Sequence, residues 1–191
     1  MARLPYLDAE SLSPEDRDLL KRPINLHRQL VHSPKAARAF SGLGQYIRHG
    51  STLNPRLREL AILQVGWTAR SPYEWSHHVK IGFDFGVTED DVRAICAGGT
   101  GLGELERAVL DAARQLTVEA SLTDAQFAAL QAKLSETDLV DLLVVISFYA
   151  CVVRVLASLQ IDVEPEYQPY LDRFPLAIGD NTGTTPFDKA R

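Results

Sequence analysis

Residues 58–79 read RELAILQVGWTARSPYEWSHHV, two helical patterns separated by a break at residues 69–72. Before the break, Leu57, Leu60, Ala61 and Leu63 recur at three and four and line one face of an α-helix. After it, Ser71-Pro72 reads as a helix start: the serine oxygen accepts from a free amide, and proline occupies a first position whose N–H needs no partner. Glu74 stands three residues after Ser71, as in a capping box, and on that reading it only begins a helix. His78 follows Glu74 by four and shares its face one turn on. Glu59 changes the weighting. It sits among Leu57, Leu60, Ile62 and Leu63, and the short break forces the two helices to pack, so a carboxylate near the core needs a partner. Glu74 and His78 are the candidates. The three would form a carboxylate–imidazole–carboxylate cluster, an arrangement that drives pKa values apart and supplies an acid and a base near neutral pH. A structural ion-pair cluster is the competing account.

The same punctuation runs outward along the chain. Ser13-Pro14, Ser33-Pro34 and Asn54-Pro55 mark further helix starts, and Thr88 before EDDV and Thr123 before DAQF add two, the latter with Gln126 completing a capping box. Alternation of period two is nowhere sustained, so the fold class is all-α. Helices are expected near 14–21, 24–32, 34–48, 55–69, 72–85, 89–97, 104–117, 124–134 and 136–159. Residues 1–50 read as an N-terminal helical arm, 51–160 as a helical core and 161–191 as an extended C-terminal tail whose polar end, GDNTGTTPFDKAR, is expected to be mobile or draped on a neighbour. The AGGTGLG stretch at 97–103 lacks the Lys-Ser/Thr ending of a P-loop and follows no strand, so it reads as an inter-helix loop.

A chain of 191 residues with 46% hydrophobic and 24% charged residues suits one soluble domain. Its net charge of -5 argues against nucleic-acid partners, which need an excess of Lys and Arg on one face. The start, MARLPYLDAESLSPED, has no apolar run of the secretory kind, so a cytoplasmic location is expected. The most apolar segment, LVDLLVVISFYACVV at 139–153, falls short of the ~20 residues of a membrane span. It reads as a helix too apolar for a small bundle to cover, hence buried against other subunits. Cys96 and Cys151, each among apolar neighbours, are expected to be inert core thiols.

The stretch RLRELAILQVGWTARSPYEWSHHVKIGFDFGVTEDDVRAI resembles the carboxymuconolactone decarboxylase family, which includes the AhpD-type alkylhydroperoxidases. The likeness extends over roughly residues 35–160 and implies an AhpD-like helical bundle assembling as a homo-oligomer, trimer or hexamer, with its site near subunit contacts. In the alkylhydroperoxidase branch a glutamate is followed twelve residues later by Cys-x-x-Cys, and then by a histidine four past the second cysteine. Glu59 and His78 match that pattern; the two cysteine positions hold Ser71 and Glu74. Neither can cycle through sulfenic acid and disulfide, so thiol peroxidase chemistry is not expected.

What remains resembles the decarboxylase branch, acting by general acid–base chemistry on a small, oxygenated, anionic compound. The resemblance casts His78 as the acid, Glu59 as its orienting partner and Glu74 as a second base or a helix cap. Ser71, Tyr73 and Arg58 are candidate substrate contacts. Arg58 is expected to face away from Glu59 and to reach a neighbouring site in an oligomer, with Arg56 and Arg154 as other carboxylate-gripping candidates. His77 points about 100° away from His78 round the helix, so the doublet is no chelating pair. No metal-ligand set is legible, and no cofactor and no membrane partner are expected. A peroxiredoxin-like protein and a non-catalytic oligomeric binding protein are the alternatives.

Overall fold

Asn54 and Ser71 both act as the sequence suggests. In the computed structural model, which describes residues 1–176, Asn54 Oδ1 accepts from the Leu57 amide at 3.2 Å and opens α3 (Pro55–Thr68), while Ser71 Oγ accepts from the Glu74 amide at 3.4 Å and opens α4 (Pro72–Asp84). Every residue of α3 from Leu57 to Gly66 is buried, because the helix runs through the middle of the bundle and packs against α4, α5 (Glu89–Cys96), α6 (Glu104–Val118) and α8 (Glu136–Leu159). Before it come α1 (Asn25–Leu30) and α2 (Pro34–Gln45), the latter running into a π-helical turn at Tyr46–Gly50; α7 (Asp124–Gln131) bridges α6 and α8. Among the described residues there is no strand, as the all-α reading requires.

The break between α3 and α4 is a Schellman closure. The Ser71 amide donates to Gly66 O at 2.9 Å and the Arg70 amide to Trp67 O at 3.1 Å, with Arg70 at φ 51, where glycine is the usual occupant. Holding a non-glycine residue in the left-handed region costs ~1–2 kcal/mol. That cost is met by packing: a Cβ on Gly66 would lie 3.2 Å from the backbone nitrogen of Trp75, so the two helices cross almost in backbone contact.

Several expectations are corrected. Ser13 and Ser33 make no side-chain cap, and the segment Pro14–Leu20 is 3-10 rather than α-helical. Within the chain, helix α8 leaves one side uncovered, the side that the sequence reading assigns to burial against other subunits. It packs on α3 and α6, yet Val140 is 58% exposed, and Ser147, Cys151, Arg154 and Ser158 continue an exposed stripe at helical spacing. The helix has 24 residues, runs past the apolar segment at both ends and is, by length and composition alone, apolar enough to cross a membrane, although in this fold it serves as a core helix. Both cysteines are exposed, Cys96 at the end of α5 and Cys151 on the outer stripe of α8. Their apolar sequence neighbours point inward while the thiols fall on the opposite faces.

The chain after Ile161 does not run on as an extended tail. Pro165–Tyr167 forms a 3-10 turn and α9 (Gln168–Arg173) follows, packed against α4, with Trp75 Nε1 donating to Phe174 O at 2.7 Å. Pro165 and Pro169 are helix-start residues of the same kind as those read elsewhere, and Tyr167 and Phe174 supply the buried side. The polar end, residues 179–191, lies outside the described residues.

Candidate active site

The crossing at Gly66 sets one turn of α3 beside one turn of α4, and Glu59 and His78 meet there. His78 Nδ1 lies 2.7 Å from Glu59 Oε2, and its Nε2 lies 3.0 Å from Glu74 Oε1. Glu59 is fully buried, and Glu74 and His78 nearly so. Glu74 therefore does not complete the capping box. Ser71 caps its amide, but its carboxylate turns along the helix to the imidazole.

With an acceptor at each ring nitrogen, His78 is bound as an imidazolium donating both protons. Burial opposes that charge, but Glu59 and Glu74 outweigh it and raise the pKa to about 9. Burial likewise opposes ionisation of Glu59; His78 and then Arg58 overcome it and hold the carboxyl below its usual range. Arg58 does not face away, as adjacency in sequence suggests. Its side chain curls back so that Nε donates to Glu59 Oε1 at 3.0 Å, and its guanidinium lies over the Phe85 ring at 4.6 Å. It is buried and committed to Glu59.

A second imidazole–carboxylate pair stands beside the first. His77 Nε2 lies 2.8 Å from Glu164 Oε2, and the ring is stacked between Tyr73 at 4.1 Å and Tyr167 at 3.5 Å. Tyr73 donates its hydroxyl proton to Glu164 Oε1 at 3.0 Å and accepts from the Leu26 amide. Burial depresses the His77 pKa more than Glu164 raises it, so the two neighbouring histidines are pushed in opposite directions. Sequence spacing gave no sign of this pair, because Glu164 lies 87 residues away in the segment read as tail.

Glu74, His77, His78 and Tyr73 line a pocket with about 70 Å³ of room, closed on its other sides by Phe148 and Tyr149 of α8 and by residues of the first 50. Arg22, His27 and Arg48 are among the latter. Ser71 is not part of it: with Tyr73 it borders a separate groove of about 640 Å³ between the α3–α4 break and α8, where Arg154 also lies. Arg56 is elsewhere, held by Asp91 at 2.6 Å and Glu106 at 2.9 Å. Among the described residues, no group of three His, Cys, Asp or Glu side chains is arranged to hold a metal ion.

Residues 34–117 match the carboxymuconolactone decarboxylase family. Among solved structures, a variant of the debrominase Bmp8 in complex with 2,3,4-tribromopyrrole has 23% sequence identity and a TM-score of 0.74, covering 91% of this chain and 96% of that one. A peroxidase-related protein with an alkylhydroperoxidase AhpD core from Ralstonia eutropha has 19% identity and a TM-score of 0.72, covering 89% and 95%. A putative antioxidant defence protein, AhpD, from Agrobacterium tumefaciens has 22% identity and a TM-score of 0.64, covering 71% and 95%. No curated protein matches the sequence significantly. Residues 34–117, which include the helix pair bearing Glu59 and His78, carry the carboxymuconolactone decarboxylase pattern, and the fold of the chain is AhpD-like.

Proposed function

We propose that this protein is an enzyme that moves protons beside a carbonyl group of a small, oxygenated, anionic compound, with decarboxylation of a lactone acid as its leading reaction. The observation that carries this reading is the Glu59–His78–Glu74 array on the wall of a pocket. When a carboxylate leaves as carbon dioxide, the electron pair of the broken C–C bond is held as an enolate until a proton reaches carbon. His78, kept as an imidazolium at neutral pH, is the acid that delivers it; Glu59 fixes the ring, and Glu74 returns a proton from water to Nε2. General acid–base assistance of this kind contributes about 10²- to 10⁴-fold in rate.

The charge of the pocket supports the substrate class, and the similarly folded debrominase holds a single five-membered ring. Arg22 and Arg48 line the pocket and, among the described residues, form no salt bridge: Arg22 donates to the Tyr167 hydroxyl and Arg48 to Gly44 O, so that each keeps further N–H groups with which to grip a carboxylate. Arg58 is discounted for that role because Glu59 occupies it. Thiol peroxidase chemistry is disfavoured by Ser71 and Glu74 at the positions where that branch has cysteines. A purely structural ion-pair knot is disfavoured because Glu74 and His78 border open space.

The test is incubation with 4-carboxymuconolactone and a panel of small lactone acids and 3-oxo acids, scoring released carbon dioxide and deuterium uptake from heavy water. On any compound processed, His78→Gln should lose at least about 10²-fold. Full turnover by that variant, or neither carbon dioxide release nor exchange from any compound with the unaltered protein, overturns the proposal.

A further inference from the structure

We propose that Tyr149 is the hydrogen-bond donor that holds the substrate's carbonyl oxygen while negative charge develops on it. The inference rests on the proton-transfer reading and gives that reaction its second half: His78 serves the carbon, and Tyr149 serves the oxygen.

Tyr149 projects from α8, is 7% exposed and borders the same pocket as Glu74 and His78. Its ring meets His78 edge-on at 4.9 Å and Phe148 at 5.4 Å, so its position is fixed by packing from both sides. The hydroxyl has no hydrogen-bond partner among the described residues. Other well-placed tyrosines are all engaged: Tyr73 with Glu164 and Leu26, Tyr46 with Asp141, and Tyr167 with Arg22. The hydroxyl oxygen is not among the sealed, unpartnered side-chain atoms, and a tyrosine whose ring is packed in this way presents its O–H as the polar end. A rigid, unpaired donor bordering a cavity is therefore available to whatever enters it.

Electrostatics keep it a donor. Burial first, and then the Glu74 and Glu59 carboxylates, push the phenol's pKa up, so the proton stays on oxygen across the working range. The proton need not leave: the enolate oxygen accepts the O–H, and the bond strengthens as electron density moves onto it, which is how a preorganised donor lowers a barrier. Removing one such donor typically lowers kcat by about 10²- to 10³-fold.

Tyr149→Phe deletes the oxygen and keeps the ring contacts with His78 and Phe148. The probe is 4-nitrophenolate, an oxyanion on a single ring, titrated by its absorbance at a pH where it is ionised, with neutral nitrobenzene as the shape control. A hydrogen bond to a charged acceptor predicts at least about tenfold weaker nitrophenolate binding by the variant, with nitrobenzene binding unchanged. Equal nitrophenolate binding by both proteins, or unaltered protein that binds nitrophenolate no better than nitrobenzene, overturns the assignment. Failure there leaves proton transfer intact if His78→Gln still abolishes turnover; full turnover by His78→Gln removes the proton-transfer reading whatever the phenolate does.

Discussion

Glu59 and His78 stand 19 residues apart in the chain and 2.7 Å apart in space, one on each of the two helices that cross at Gly66. The carboxylate also accepts from Arg58, so two cationic groups share one buried anion. Glu59→Gln keeps the shape and removes the charge. The expected result is a loss of ~3–5 kcal/mol in unfolding free energy, the usual cost of stranding a buried partner. The His78 pKa should also fall from about 9, followed by ring-nitrogen NMR. An unchanged titration would show that Glu59 does not set the charge of the ring.

The pH dependence of stability follows from the same pair. The His78 pKa is raised in the folded state from 6.5 to about 9, so the folded protein binds the proton more tightly than the unfolded chain. The stabilisation is complete below 6.5 and is lost as pH rises through about 9. Urea midpoints measured across that interval should fall with pH, and His78→Gln should flatten the decline. A midpoint that rises over the interval in the unaltered protein contradicts the assignment.

Gly66 is where the site is most sensitive to a single methyl group. An added Cβ meets the backbone of Trp75 at 3.2 Å, and backbone cannot swing aside as a side chain does. Overpacking costs ~1–3 kcal/mol, against a gain of up to ~1 kcal/mol in helix propensity. Gly66→Ala should therefore lower stability by about 1–2 kcal/mol and loosen the His78–Glu59 contact, seen as a drop in the His78 pKa. Neutral stability with an unchanged pKa would mean that α4 shifts freely.

The cysteines should be dispensable. Cys96 and Cys151 are exposed and neither borders the pocket, so the double substitution to serine should leave turnover and unfolding midpoint unchanged. Dithiol-dependent peroxide consumption should be at background in both proteins. Peroxide turnover lost with the two serines would restore a thiol mechanism.

The arginines separate by partner. Arg58→Ala should destabilise the fold, because it strips Glu59 of one of its two cations. Arg22→Ala and Arg48→Ala should leave stability within about 0.5 kcal/mol and raise KM for anionic substrates with little change in kcat. A fall in kcat alone would place them in the chemistry rather than in binding.

The helices were legible in the sequence because their signals are local. Proline after a short polar residue, three- and four-residue apolar spacing and the Thr123–Gln126 box each act within one turn, and the α3, α4 and α8 boundaries follow them within a residue. The Glu59–His78 contact was legible for a related reason: a short break leaves consecutive helices little choice but to pack. Tertiary structure decided the rest. The direction of the Arg58 side chain, the turn of Glu74 from cap to imidazole, the exposure of both thiols and the pairing of His77 with Glu164 all depend on which face of each helix meets which neighbour. Glu164 reaches His77 from 87 residues further along the chain, and Tyr149 reaches the pocket from a helix the motif does not include. Spacing along a chain constrains neighbours within a helix or across one turn; contacts over such separations exist only once the core has fixed where the helices lie.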